Sequence, residues 1–244
     1  GHPTAGASLL PPFIMTQHTA SHAPQLSFEF FPAATDAGMQ KLLDAHQALR
    51  TLDPAYFSVT FGAGGSTQAR TTEIVTALTQ AGSQVAPHLT CVGATRESIR
   101  SLLDSYRDQG IRRLVALRGD LPSGMVGLGD FRHAIDLIRF IRDAYGDWFA
   151  LEVAAYPEMH PQAESPDADL ARFAEKAAAG AHSAITQYFY NPNAYFDFVE
   201  RAERAGVTIP IVPGIMPILN YTQLARFSDA CGAEIPRWIR LRLA

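Results

Sequence analysis

Residues 85–117, VAPHLTCVGATRESIRSLLDSYRDQGIRRLVAL, contain one complete structural unit. Val85 to Cys91 is a short β-rich apolar run. Ile99, Leu102, Leu103 and Tyr106 then recur at helical spacing, giving a single stripe to bury. Gly110 suits the left-handed residue that ends a helix, and Leu114 to Leu117 opens the next apolar run. The order is strand, helix, glycine, strand.

The same unit recurs on both sides. Further apolar runs span Leu26 to Phe31, Tyr56 to Phe61, Phe149 to Ala155, Ala184 to Phe189 and Ile209 to Pro213, making seven in all. Met39, Leu42, Leu43 and Leu49 form another helical stripe, and Gly82, Gly146, Gly180 and Gly206 stand at further helix ends. Units of about 30 residues in this order demand parallel strands joined by right-handed crossovers. The product is either an open doubly wound sheet or a closed barrel. Regular spacing, and polar residues at the C-terminal end of nearly every run, favour a (β/α)8 barrel. The open sheet would be expected to carry a phosphate fingerprint. Gly62-Ala63-Gly64-Gly65-Ser66-Thr67 lacks the third glycine of GxGxxG, and GxxxxGK[ST] is absent.

With 244 residues, 47% of them hydrophobic, residues 25–244 can form one large domain. Residues 1–24 have neither period and read as a loose tail; the opening Gly1-His2, with Met15 inside the tail, suggests a leftover of recombinant expression. A net charge of −4 without a Lys/Arg run argues against nucleic acid or an anionic membrane as partner. No apolar stretch is long enough to span a bilayer. Cys91 and Cys231 suggest neither a disulfide framework nor a zinc site, so a cytoplasmic, small-molecule protein is expected.

Strand period sets the candidate site. In the first run Leu26, Phe28 and Phe30 share one face and Ser27, Glu29 and Phe31 the other. The apolar face suits the helix layer, which turns Glu29 into the barrel, near the top. Desolvation there would raise its pKa toward that of a general acid; an ion pair with Arg118 is an equal alternative. Arg118-Gly119-Asp120 closes the fourth strand, where glycine would let the backbone approach a flat or phosphorylated ligand. Thr60, His88, Thr90 and Gln187 stand near other strand ends, and Tyr156-Pro157-Glu158-Met159-His160-Pro161 forms a stiff loop. Each alone is more often a satisfied core or turn residue. A metal set of His88, His160, Glu158 and Asp120 ranks lower, because HxH and HExxH are absent.

These segments resemble the methylenetetrahydrofolate reductase family: Ser27-Phe28-Glu29-Phe30-Phe31-Pro32, Ser58-Val59-Thr60-Phe61-Gly62-Ala63, Ala86-Pro87-His88-Leu89-Thr90-Cys91 and Ala116-Leu117-Arg118-Gly119-Asp120-Leu121-Pro122. So do Ala154-Ala155-Tyr156-Pro157-Glu158, His160-Pro161, Ile185-Thr186-Gln187-Tyr188-Phe189 and Pro213-Gly214-Ile215-Met216-Pro217. The resemblance implies a barrel that holds FAD at the C-terminal strand ends and uses NADH or NADPH to reduce methylenetetrahydrofolate by ping-pong turnover. It implies FAD contacts from Thr60, His88, Arg118, Gly119, Asp120, Tyr156, His160, Asp169 and Lys176, and, more variably in the family, from Phe61, Ala63 and Arg172. Glu29 is implied as general acid, Asp120 as a charge beside flavin and pterin, and Gln187, Gln223 and Phe227 as substrate contacts. No metal is implied, and a homo-oligomer is.

The family continues past Arg240-Leu241-Arg242-Leu243-Ala244 into an eighth strand and last helix, so an open barrel is expected. The alternative function is a flavin- or folate-binding barrel without turnover. A barrel aldolase is disfavoured because the strands contain no lysine for a Schiff base.

Overall fold

The computed structural model describes residues 24–61, 65–119 and 129–243. The elements follow the expected order: β1 (Ser27–Phe30), α1 (Asp36–Leu49), β2 (Tyr56–Val59), α2 (Gly65–Gln80), β3 (Val85–Thr90), α3 (Arg96–Asp108), β4 (Arg113–Leu117) and α4 (Ala134–Tyr145). Then come β5 (Ala150–Ala155), α5 (Pro166–Ala178), β6 (Ser183–Thr186), α6 (Pro192–Arg204), β7 (Ile211–Val212), α7 (Tyr221–Cys231) and α8 (Arg237–Leu243).

Local chemistry explains these boundaries. In α3, Thr95 and Ser98 form a reciprocal capping box, and Ile99, Leu103 and Tyr106 are buried along one stripe. In α5, the Ser165 hydroxyl accepts the Ala168 N–H, Pro166 fills the first turn, and Asp167 and Asp169 face the positive end of the helix dipole. The five helix-ending glycines all have positive φ, from 57° to 115°.

The strands are shorter than the apolar runs. β7 keeps two residues because Pro210 and Pro213 have no N–H for a ladder. β6 stops at Thr186, and the Gln187 side-chain oxygen then takes the Tyr188 N–H.

All seven strands pair in parallel, in chain order, with β1 and β7 at the edges. This is seven-eighths of a (β/α)8 barrel; an eighth strand is not among the described residues. Phe57, Val59, Leu89, Leu114, Ala116, Leu151 and Val153 face the helices and join the main core, with Phe28 and Phe30 packed against it. Tyr56, Ala86 and Val115 form a separate interior cluster with Leu117 and Ile185. The alternation therefore divides helix layer from barrel interior as the sequence predicts. Beneath the interior, Arg113 pairs with buried Glu152 and lies over the Tyr56 ring.

Residues 233–243, for which the sequence suggested no element, carry α8. Ile235 and Ile239 pack with Tyr188 and Leu224, and the Glu234 N–H donates to Glu158 on the loop after β5. No described helix is long and apolar enough to cross a membrane.

Candidate active site

Glu29 and Ser58 are direct partners in the β1–β2 register, and Ser58 is paired with Ala86 on β3. Side chains in register share a face, so Glu29, Ser58, Ala86 and, two residues on, His88 all point into the barrel. The Ser58 hydroxyl donates to Glu29 Oε2 at 3.3 Å. His88 Nε2 lies 3.1 Å from the same oxygen, off the hydrogen-bond axis.

The Glu29–Arg118 ion pair, one of the two readings open from the sequence, does not form. Arg118 Nε donates to the Gly119 carbonyl and Nη2 to the Gln162 side chain. The expected rise in the Glu29 pKa is also reversed. Burial pushes the carboxyl up, but His88 and Ser58 more than offset it, holding it below its ordinary value. With its pKa held there, Glu29 is ionised at neutral pH.

A second group of side chains surrounds a cavity of about 290 Å³ between β4, β5, α4 and α5. Arg118, Tyr156, His160, Asp169, Arg172 and Lys176 line it, and all six are residues for which the sequence implied cofactor contact. On α5 the spacing of Asp169, Arg172 and Lys176 puts them on one face. Asp169 accepts the His160 N–H at 2.8 Å, and the His160 ring meets Tyr156 edge-on at 4.6 Å. The Gln162 N–H donates to His160 Nδ1, which leaves Nε2 as the protonated nitrogen of the neutral ring. Lys176 Nζ donates to the Ala154 carbonyl at 2.6 Å, and burial pushes its pKa down from 10.5 to about 8 against the opposing pull of Asp169.

Gly119 has φ +85°, and a Cβ there would lie 2.9 Å from Thr90 Cβ and 3.0 Å from Val92 Cγ1. The missing side chain lets Thr90, the last residue of β3, and Val92 of the following loop pack closely against Gly119. Thr60 follows β2 directly, its N–H bonded to the Phe30 carbonyl and its own carbonyl accepting the Thr71 hydroxyl; Phe61 comes next, half-buried. Ala63 and Asp120 lie outside the described residues. Of the weighed metal set, His88 faces Glu29, Glu158 accepts the Glu234 N–H and His160 packs on Tyr156.

The substrate candidates lie around β6 and α7. Phe227 stacks on Tyr188, with ring centroids 5.9 Å apart, and is partly exposed. Gln187 precedes Tyr188. Gln223 is exposed one turn before Phe227, its N–H capped by Asn220.

The sequence reasoning missed His133, Ile135, Gln162, Ala163 and Glu175, which also line the cavity. His133 had a legible signal: it is the N-cap of α4 with Asp136 three residues on, and the Asp136 carboxylate takes the Arg132 and His133 N–H groups. Gln162 and Ala163 gave none, since a loop has no period.

Fold and site define a (β/α)-barrel enzyme, with a carboxylate in the barrel and a cation-bearing cavity at the C-terminal ends of its strands. The methylenetetrahydrofolate reductase family model matches residues 14–244, and the chain belongs to that family. It is 41% identical to 5,10-methylenetetrahydrofolate reductase of Salmonella typhimurium over 88% of this chain and 72% of that protein. Identity is 39% to methylenetetrahydrofolate reductase (NADH) 1 of Arabidopsis thaliana, over 86% of this chain and 38% of that one. Among solved structures, an uncharacterized Clostridium thermocellum protein that binds two copies of 5-methyl-5,6,7,8-tetrahydrofolic acid shares the fold. Its TM-score is 0.61 and its identity 18%, over 90% of this chain and 75% of that one.

Proposed function

We propose that the chain reduces 5,10-methylenetetrahydrofolate to 5-methyltetrahydrofolate, with FAD as carrier and NADH or NADPH as donor. The observation that carries this reading is the gathering of Arg118, Tyr156, His160, Asp169, Arg172 and Lys176 around one cavity. Their donor set suits a pyrophosphate: two guanidiniums and an ammonium, against the carboxylates of Asp169 and Glu175. At about 290 Å³ the cavity is at the small end of ligand pockets, roughly 300–1,000 Å³, so it would take part of a dinucleotide. Thr60, Phe61, Ala63, His88, Gly119 and Asp120 would hold the remainder.

Bound FAD would accept a hydride from the nicotinamide and pass it to the folate, so the two half-reactions alternate at one site with ping-pong kinetics. The name of the Arabidopsis relative makes NADH the first donor to test. Glu29 would protonate a nitrogen of the folate's five-membered ring. The bond from that nitrogen to the bridging methylene then breaks, its electron pair going to nitrogen, and the methylene becomes an iminium carbon that accepts hydride. Folate over Glu29 would remove the exposure its side chain retains, strengthening the burial that favours the protonated form. Asp120 would stabilise the cationic intermediate. Gln187 and Gln223 would hydrogen-bond the substrate, and Phe227 would offer a ring for the nicotinamide or the folate to stack on.

The test is anaerobic absorbance of the purified protein as NADH and then methylenetetrahydrofolate are added. Flavin bands should bleach and return. Bands that bleach and stay bleached favour the flavin-binding barrel without turnover, and a protein colourless with added FAD defeats the reading. In the variant Glu29→Gln, bleaching should persist while return of the bands slows by at least about 100-fold; loss of both steps would contradict the acid role.

A further inference from the structure

Two groups converge on one oxygen of Glu29. The Ser58 hydroxyl donates to Oε2, and His88 Nε2 stands 3.1 Å from that same atom. Among the described residues none donates to Oε1. Ser58 sits on β2, which pairs with β1 on one side and β3 on the other, and is 3% exposed. A buried serine could equally be a satisfied core hydroxyl. Here, however, its acceptor is the carboxylate expected to do the chemistry, directly opposite it in the strand register.

We propose that Ser58 is the positioning residue of the acid: its hydroxyl, beside the His88 ring, ties down one carboxylate oxygen, leaving the other as the single oxygen that carries the proton to the folate. This rests on Glu29 being the acid. The proton leaves the free oxygen for the ring nitrogen, Glu29 is left as a carboxylate still anchored through Oε2, and solvent reprotonates the free oxygen once product leaves. A hydroxyl donating to a carboxylate favours the ionised form, so Ser58 also sets the pH above which the folate step fades. The other titratable and charged groups on this side are His88 of β3 and the Tyr56 phenol of β2. Beyond Tyr56 lies the Arg113–Glu152 pair of β4 and β5, while α1 meets the opposite face of β1 through Phe28 and Phe30.

The experiment is stopped-flow of the FAD-loaded protein from pH 6 to 9, following each half-reaction separately. In Ser58→Ala the alkaline limb of the folate step should move up by about one pH unit, and its plateau fall about tenfold, because a charge-assisted hydrogen bond is lost. Reduction by NADH should follow the wild-type profile, which also shows that the variant folds and holds FAD. Ser58→Thr, which keeps the hydroxyl, should return the limb to its wild-type position. A Ser58→Ala limb that does not move, or equal slowing of both half-reactions, overturns the assignment even if Glu29→Gln behaves as expected. Folate reduction that survives in Glu29→Gln overturns the acid itself, and the role of Ser58 with it.

Discussion

Lys176 is buried at a cost that its function should explain, and Lys176→Met measures both. The fall of its pKa from 10.5 to about 8 corresponds to about 3.4 kcal/mol against the charged form. Because the side chain opens onto the cavity, about half of that, ~2 kcal/mol, is a fair share of the native-state cost. Methionine keeps the length and apolar stem and gives up the hydrogen bond to the Ala154 carbonyl, worth about 1 kcal/mol. The FAD-free variant should therefore be more stable than wild type by about 1 kcal/mol at pH 7, a rise in Tm of roughly 2–4 °C. The linkage has a definite sign. Below pH 8 the lysine is charged in both folded and unfolded chains and the cost is fully present; between about 8 and 10.5 the folded chain releases its proton first and wild type gains stability. The advantage of the variant should shrink across that window. With FAD the order should reverse, because the variant offers no charge to the pyrophosphate, and FAD affinity should fall about tenfold or more. Differential scanning fluorimetry with and without FAD at pH 7 and 9.5 reads all of this. An FAD-free Lys176→Met that melts lower than wild type at pH 7, or one that binds FAD as tightly, would refute the reasoning.

Two further perturbations probe the scaffold. Gly119→Ala puts a Cβ against Thr90 and Val92 at a φ that alanine avoids, so it should cost on the order of 3 kcal/mol and lower Tm by roughly 6–12 °C; a Tm within 2 °C of wild type would contradict the packing described. His46 is buried against Phe57 and hydrogen-bonded to Ser83, and burial, with Arg50 nearby, holds its pKa below the ordinary 6.5. Its stabilisation is complete above pH 6.5 and is lost as pH falls through the lowered value, so His46→Gln should lose less stability between pH 7 and 5 in urea unfolding. Identical pH slopes would exclude His46 as a source of acid sensitivity.

The periods of the sequence determined the architecture. Alternation in Ser27-Phe28-Glu29-Phe30 and Val85 to Thr90 divided barrel interior from helix layer, and the helix stripes with their terminal glycines set the crossover order, because both periods are properties of the local backbone. The family motifs supplied the six residues that the fold gathers around the cavity. What needed the tertiary structure was who meets whom. Glu29 turned out to face His88 and Ser58, with Arg118 drawn instead to Gln162, 44 positions along the chain. Those two neighbours outweigh the rise that burial alone would give the Glu29 pKa, and a strand period shows burial without showing which side chains arrive beside it. Likewise His133 and Gln162 joined the cavity through the placement of α4 and the β5–α5 loop, which depends on packing across the molecule and leaves no period in the chain.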